Sequence, residues 1–329
     1  MPGFEEEVPA GIHNSLVSIL TSHQSAFESP TFFFRKSIHF KQQECQGDTM
    51  DTYYINGQFV EEDKATISVK DIIVLRGYGV FDFLITYNKK PFRLKQHVQR
   101  MENSARNIGL EIKLSNEEIC AITEETIKRN PHHDESNIRL VYSGGISSDG
   151  VTPEGNGFLM VMVTKKHMLP EWWYTDGAKI ITVDIERFIP EAKSTNYLNA
   201  VYSLGLAKKQ NAIESIYIDR KNRVLEGTTT NIFMFQGNKL ITPVQDILPG
   251  VTRSVVLELA KGHFEIDVRD VDKGEIASAD EIFISASNKE IVPIIKVNDL
   301  TIGQGKPGEK TRKVMKLFRD YTTEFGQSK

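Results

Sequence analysis

The chain has 329 residues, a length that suits two domains of common size and leaves enough interior to bury a cofactor. Its 40 basic and 44 acidic residues nearly balance at a net charge of −4, so bulk charge argues against nucleic-acid and membrane-surface partners and favours small molecules. The two cysteines, Cys45 and Cys120, are too few for a disulfide framework, and no run reaches the roughly 18 apolar residues of a membrane span, so we expect a cytoplasmic protein without a targeting segment.

The beginning of the chain differs from the rest. Residues 1–49 show no sustained helical or strand periodicity, and we expect them to form a poorly ordered extension. Directly afterwards, Asn56-Gly57 separates two apolar runs, which is the strongest short signal for a β-hairpin. The folded part is therefore predicted to begin near Met50, which is also a candidate start of the protein.

A small α+β domain is predicted over residues 50–166. Its expected elements are a strand at 80–87, a helix from 94 that stops at Gly109, a helix from 115 to about 129, and strands at 138–142 and 158–163. Ser115 and Glu118 stand at capping-box spacing for the second helix. The charged segment around Pro170 predicts an interdomain linker at residues 167–175.

A larger α/β domain is predicted over residues 176–329, because strand and helix patterns alternate there. The strands are expected at 180–185, 215–218, 231–235, 239–242 and 281–284, and the helices near 197–210, at 252–261 and through 314–325. The fold class is therefore α/β, with an α+β N-terminal part.

Three segments of this second half carry candidate chemistry. Lys193 follows Pro190-Glu191-Ala192, Glu226 follows a strand-like run, and Leu248-Pro249-Gly250-Val251-Thr252-Arg253 opens a helix for which Thr252 is the expected N-cap. An amine can hold an aldehyde, a carboxylate can keep a ring nitrogen protonated, and a helix start can hold a phosphate. Together these three groups can bind pyridoxal phosphate. Taken alone, each could equally be a solvated lysine, a solvated carboxylate at a turn or an ordinary helix start.

The order of several motifs resembles the class IV, fold-type IV aminotransferases from about residue 52 to the C-terminus. The motifs are Arg76-Gly77-Tyr78-Gly79-Val80-Phe81-Asp82, Phe92-Arg93-Leu94 to Arg100, Lys193-Ser194-Thr195-Asn196-Tyr197, Leu225-Glu226-Gly227 to Asn231, and Leu248 to Arg253. The resemblance implies two α/β domains with pyridoxal 5'-phosphate between them, and a homodimer whose active sites are completed by a loop of the partner subunit.

The same resemblance implies residue roles. Lys193 would form the Schiff base with the cofactor and move the proton, and Glu226 would pair with the pyridine nitrogen. The phosphate would be held by Arg100, Val251, Thr252 and Ser287. Tyr197 could reach the ring oxygen, although a packed aromatic residue is an equal alternative, and further donors are expected from Thr229, Thr230 and Asn231.

The substrate is less well determined, because the chain departs from two subfamily patterns. Branched-chain enzymes usually have a glycine and an arginine where this chain has Phe83 and Ile85, and typical D-amino acid enzymes have a tyrosine where it has Phe81. Arg76 and Arg139 remain as candidates for a substrate carboxylate, since guanidinium binds carboxylate bidentately; each could instead form a structural ion pair.

The arrangement of these two arginines resembles a noncanonical group of D-amino acid transaminases, in which the first arginine comes from the neighbouring subunit. Substrate contacts are expected from Arg76, Phe81, Phe83, Arg139 and Asn288. The predicted function is ping-pong transfer of an amino group from a D-amino acid to 2-oxoglutarate or pyruvate. An L-branched-chain aminotransferase is the alternative, followed by an aminodeoxychorismate lyase and a non-catalytic protein that kept the fold.

Overall fold

The structure is a computed structural model that describes residues 50–327. The prediction for residues 1–49 lies outside this range. The first half of the described chain contains β1 (Thr52–Ile55), β2 (Gln58–Glu61), α1 (Ile72–Arg76), β3 (Gly79–Tyr87), β4 (Lys90–Pro91), α2 (Leu94–Asn107), α3 (Asn116–Lys128), β5 (Ser136–Ser143) and β6 (Phe158–Lys165).

The second half is richer in strands. It contains α4 (Trp172–Thr175), β7 (Ala178–Asp184), α5 (Leu198–Lys209), β8 (Glu214–Ile218), β9 (Arg223–Gly227), β10 (Asn231–Gln236), β11 (Lys239–Thr242), α6 (Val251–Ala260), β12 (Glu265–Val268), β13 (Val271–Asp272), β14 (Glu281–Ala286), β15 (Glu290–Val297), β16 (Leu300–Thr301) and α7 (Glu309–Glu324). Across residues 50–327, no helix is long and apolar enough to span a membrane.

The first half forms a six-stranded sheet in the order β2-β1-β6-β5-β3-β4. Its hairpin turns at Asn56 and Gly57, both with positive φ, as a two-residue turn of this kind requires. Helices α2 and α3 cover the sheet, and α3 begins with the expected capping box of Ser115 and Glu118. Leu84, Val98 and Met101 are among the fully buried residues between sheet and helices.

The second half forms a ten-stranded mixed sheet, in which the main order is β12-β11-β10-β14-β15-β7-β8-β9-β13 and β16 pairs with β15. Helices α6 and α7 pack on one face of it. Ile85 and Phe92 of the first half share a hydrophobic cluster with Val255 and Phe318 of these helices. These shared buried residues therefore join the two sheets. The interdomain linker predicted at residues 167–175 stays a prediction.

Two sequence predictions need correction here. Thr252 is not the N-cap of α6: the helix begins at Val251, and Gly250 precedes it with extended φ and ψ of −67° and 130°. Strand β15 was missed because Pro293 interrupts its apolar run, and proline usually argues against a central strand. The strand tolerates it because pairing with β7 begins only at Ile294, one residue later.

Candidate active site

One cavity of about 790 Å³ collects the predicted site residues. Residues of both sheets and of the loops between them line it. The lining includes every residue expected to contact cofactor or substrate: Arg76, Phe81, Phe83, Arg100, Arg139, Lys193, Tyr197, Glu226, Thr229, Thr230, Asn231, Val251, Thr252, Ser287 and Asn288. Strand pairing thus brings together motifs that lie far apart in the chain.

Lys193 is fixed in the cavity wall through its backbone. Its carbonyl accepts a hydrogen bond from the Phe81 amide at 2.9 Å, and its own amide donates to the Ser104 hydroxyl at 3.0 Å. The Nζ atom lies 4.4 Å from the centre of the Phe81 ring. Desolvation, with a contribution from Arg100, lowers the pKa of Lys193 to about 8, so the amine becomes a nucleophile near neutral pH.

Glu226 is the second-last residue of β9, and both of its carboxylate oxygens accept hydrogen bonds. Arg187 donates to Oε1, at 3.0 Å from its Nε, and the Leu248 amide donates to Oε2 at 2.9 Å. Burial raises the pKa of Glu226, while Arg187 and the Leu248 amide oppose that rise. Arg187 was missed by sequence reasoning, since nothing in its local pattern signals that it faces a residue 39 positions later.

Arg100 is held by a buried carboxylate that was also missed. Its Nε and Nη2 donate to Asp82 at 2.9 and 2.8 Å, and its Nη1 donates to the Pro249 carbonyl at 3.3 Å. His97 Nδ1 lies 2.6 Å from the same carboxylate. Burial alone would raise the pKa of Asp82, but Arg100 and His97 hold it well below its usual range. The sequence gives one local signal for this cluster: His97 and Arg100 stand three residues apart on a predicted helix and therefore share a face.

The start of α6 lies beside Arg100, which donates to the Pro249 carbonyl directly before the helix. The N-cap residue, Gly250, has no side chain that could accept from the first amides of the helix, so these amides are available to an anion. A Cβ atom at Gly250 would lie 1.9 Å from Oδ1 of Asn231, whose amide nitrogen donates to the Leu248 carbonyl at 3.1 Å. This turn therefore needs glycine for a close approach.

Tyr197 and the threonines form another wall. The Tyr197 hydroxyl donates to the Thr228 carbonyl at 3.1 Å, and its ring packs edge-on against Phe81. Thr229 donates to buried Glu214 at 2.6 Å and accepts from Lys289 at 2.5 Å. Glu214 and Lys289 were not expected, because neither stands in a recognisable motif. Together they hold the hydroxyl of Thr229.

The two candidate carboxylate ligands lie at the cavity surface. Arg76 contacts the backbone carbonyl of its neighbour Leu75 at 2.8 Å, and the Arg139 guanidinium lies 5.9 Å from the Phe83 ring centre. Neither arginine forms an ion pair with another residue in the described part of the chain. The resemblance assigned the first arginine to the neighbouring subunit, whereas Arg76 here lines the cavity of its own chain.

The cavity has the chemistry that a phosphorylated pyridine aldehyde needs. It presents an amine of lowered pKa, an anchored carboxylate, and a helix start beside an arginine. Three buried hydroxyls that line it, those of Tyr217, Thr230 and Ser285, have no hydrogen-bond partner among the described residues. Because buried hydroxyls are normally paired, these atoms fit a polar ligand.

Comparisons with known proteins agree with this chemistry. The family model Amino-transferase class IV matches residues 79–297. A Methanocaldococcus jannaschii protein named "Putative branched-chain-amino-acid aminotransferase" is 35% identical, with 83% of this chain and 97% of that protein covered. D-alanine aminotransferase of Staphylococcus aureus is 29% identical, with 83% and 98% covered.

A solved structure shows the same likeness. Branched-chain amino acid aminotransferase of Escherichia coli superposes with a TM-score of 0.79 at 25% identity, with 85% of this chain and 97% of that chain covered. A second branched-chain amino acid aminotransferase, solved with pyridoxamine 5'-phosphate, gives a TM-score of 0.78 at 28% identity, with 84% of this chain and 95% of that chain covered.

Fold and site define an α/β enzyme of the fold-type IV, pyridoxal-phosphate-dependent class. The chain belongs to the class IV aminotransferase family. It is therefore an aminotransferase, with an amino acid and a 2-oxo acid as its small-molecule substrates.

Proposed function

We propose that the cavity binds pyridoxal 5'-phosphate through Lys193. The observation that carries this proposal is the lowered pKa of the Lys193 amine, in the same cavity as the carboxylate of Glu226. Glu226 would pair with the pyridine nitrogen, and its contacts to Arg187 and Leu248 support a fixed orientation. The phosphate would be held by Arg100, Val251, Thr252 and Ser287, with Tyr197, Thr229, Thr230 and Asn231 around the ring.

When bound, the cofactor supplies a ring that accepts the electron pair left on a substrate when its α-proton departs. The protein's part is to bind, orient and move protons. Lys193 Nζ would take the proton from the Cα atom of the amino donor and, in the second half-reaction, would give a proton to the Cα atom of the amino acid that forms. Glu226 would keep the ring nitrogen protonated. Two half-reactions follow one another, an amino acid leaving as a 2-oxo acid before 2-oxoglutarate or pyruvate takes up the amine, so ping-pong kinetics are expected.

We infer that the amino donor is a D-amino acid whose carboxylate is clamped by Arg76 and Arg139. Both guanidiniums line the cavity without an ion-pair partner among residues 50–327, which leaves them available to a carboxylate. The likeness to D-alanine aminotransferases at about 30% identity supports the same assignment.

An L-branched-chain donor is the second candidate. The apolar lining by Phe81 and Phe83 suits an aliphatic side chain, and the relatives named as branched-chain enzymes support it.

A matched transamination assay separates these candidates. D-alanine with 2-oxoglutarate and D-glutamate with pyruvate are compared with L-leucine and L-valine, each with 2-oxoglutarate, and Lys193→Ala serves as the blank. Turnover of D-donors alone supports the proposed clamp, whereas turnover of L-leucine or L-valine alone means a branched-chain enzyme.

The clamp has its own test. Arg139→Ala should raise the Michaelis constant of the amino donor at least about tenfold, because a bidentate charged contact is lost. Arg129→Ala, which removes an exposed arginine that packs on Phe59 outside the cavity, is the matched control. An unchanged donor Michaelis constant in Arg139→Ala would remove the clamp from consideration.

We further propose that the enzyme is a homodimer. Phe188, Leu198, Val201 and Tyr202 are 97%, 74%, 64% and 62% exposed, and the last three lie on one face of α5. Phe188 and Leu198 also line the cavity. A second copy of the chain that covers this apolar face would bury it and close the cavity entrance at the same time.

A further inference from the structure

Three side chains that can bind a metal ion meet at the first sheet, outside the cavity. Asp51 stands directly before β1, and His132 and His133 lie in the loop between α3 and β5. Their ligating atoms all lie within 4.8 Å of one another, and residues 50–327 contain no other such group of histidine, cysteine or carboxylate side chains. None of the three lines the cavity, so the roles proposed above leave them unused.

Both histidines direct the same ring atom toward the same carboxylate oxygen. Nε2 of His133 lies 2.7 Å from Oδ1 of Asp51, and Nε2 of His132 lies 2.9 Å from it. A metal ion with bonds of about 2.1 Å places neighbouring ligand atoms about 3.0 Å apart in octahedral and about 3.4 Å apart in tetrahedral geometry. The three atoms therefore need only a small opening to surround one ion.

The backbone holds the two ligand-bearing segments together. The side-chain amide of Asn130 donates to the Thr52 carbonyl at 2.8 Å, and its oxygen accepts from the Thr52 amide, also at 2.8 Å. Asn130 is buried, and the Asp51 carbonyl accepts from the Glu62 amide at 2.9 Å. Because these bonds fix residues next to the potential ligands, the three side chains are positioned before any ion arrives.

The group is partly open to solvent. The side chains of His133 and Asp51 are 7% and 14% exposed, and that of His132 is 26% exposed. An ion bound there would have protein ligands on the buried side and water on the open side. A neutral imidazole that binds metal through Nε2 carries its hydrogen on Nδ1, so the ion would replace the two hydrogens that the rings now share with the carboxylate.

We propose that Asp51, His132 and His133 bind a divalent transition metal ion such as Zn²⁺. Two imidazole nitrogens and one carboxylate oxygen suit this class of ion, whereas Mg²⁺ and Ca²⁺ prefer oxygen ligands alone. Water completes the coordination. The proposal is independent of the cofactor and of the amino donor, because it concerns a separate site.

The expected role of the ion is structural. Asp51 and His132 are 81 positions apart in the chain, so the three ligands come together only in the folded protein. An ion that binds the folded state alone stabilises it, and here it would tie the segment before β1 to the loop after α3. Zn²⁺ at about a hundredfold excess over its dissociation constant should raise the melting temperature by several degrees.

The test is a calorimetric titration of the full chain with ZnCl₂ at about pH 7.5, after treatment with a chelator. Asp51→Asn and His132→Gln should each weaken binding at this site at least about tenfold, since each removes a ligand. His263→Gln, at an exposed histidine after α6, is the matched control and should bind Zn²⁺ as the wild type does. MgCl₂ should give no binding at this site.

The comparison of variants also identifies zinc held elsewhere, since His13, His23, His39 and Cys45 are part of the same chain. Zinc binding and a melting temperature rise that both persist in Asp51→Asn and His132→Gln would overturn the proposal, as would a wild-type protein that binds no Zn²⁺.

Two further measurements exclude misfolding as the cause of lost binding. Asp51→Asn and His132→Gln should keep wild-type transamination turnover, because neither residue lines the cavity. Nuclear magnetic resonance of the imidazole nitrogens should show Zn²⁺ shifting the Nε2 signals of His132 and His133 in the wild type. Unchanged signals of both rings at saturating Zn²⁺ would refute the site even if zinc binds elsewhere.

Discussion

Lys193 becomes reactive through its surroundings. An ordinary lysine has a pKa of about 10.4 and is almost fully protonated at neutral pH, whereas desolvation in the cavity wall lowers the pKa of Lys193 to about 8. The lowered value belongs to the folded protein, because the Phe81 ring beside the amine and the repelling charge of Arg100 both come from distant parts of the chain.

This pKa predicts the pH dependence of cofactor uptake. Only the neutral amine attacks an aldehyde, so the rate of pyridoxal phosphate capture by the apoprotein should rise about tenfold per pH unit below pH 8 and level off above it. Stopped-flow absorbance between about pH 6 and 10 measures this rate, and Lys193→Ala should show no visible product. A midpoint near the ordinary lysine value would contradict the desolvated environment.

Asp82 has a definite role in aligning Arg100. Asp82→Asn removes the charge that holds the guanidinium through two hydrogen bonds, so cofactor affinity should fall about tenfold. Glu102→Gln, on the helix that carries Arg100, is the control, because Glu102 contacts Arg106, Gln99 and Asn116 but not Arg100, so affinity should stay unchanged. Titration with pyridoxal phosphate measures both, and equal affinity in the two variants would show that Arg100 needs no such alignment.

The start of helix α6 depends on the turn that precedes it. The sequence pattern correctly indicated a helix opening at 248–253, but threonine was expected as its cap. Gly250 occupies that position instead, since only a residue without Cβ fits against the Asn231 side chain. The close approach of two loops determines which residue caps the helix. The spacing of apolar residues along the sequence does not show such an approach.

Gly250→Ala should therefore displace the start of α6. The added Cβ would overlap Oδ1 of Asn231, and overpacking of this kind costs about 1–3 kcal/mol, so cofactor affinity should fall roughly five- to hundredfold. Asn231→Ala removes the overlapping atom, so Gly250→Ala should cost less in that background. A double-mutant cycle on cofactor affinity tests this, and strict additivity would mean that the two side chains do not compete for space.

An exposed apolar surface predicts how the whole molecule assembles. The exposed face of α5, formed by Leu198, Val201 and Tyr202, predicts a dimer with about twice the 37.3 kDa chain mass. Val201→Glu should give monomers and reduce turnover, because a charge cannot be buried without a partner. Met168→Glu, at another exposed apolar residue, is the control. Light scattering with activity assays measures both effects, and a monomeric wild-type protein would refute the proposed dimer.

Local rules were sufficient for much of this molecule. Asn56-Gly57, the Ser115 capping box and the periodicity from Leu94 depend on neighbours within a few residues, so the sequence indicated the hairpin and both helices of the first sheet correctly. The motifs around Lys193 and Glu226 indicated the family for the same reason, since each is a short contiguous segment.

Long-range contacts could not be read from those rules. Asp82 faces Arg100 and Arg187 faces Glu226 only because particular strands pair in a particular register. Strand β15, with its central proline, forms because neighbours on both sides supply the remaining hydrogen bonds. Short segments carry the chemistry of the lysine and the carboxylate, whereas the pKa of the amine and the orientation of the carboxylate arise from residues that meet only after the sheets have formed.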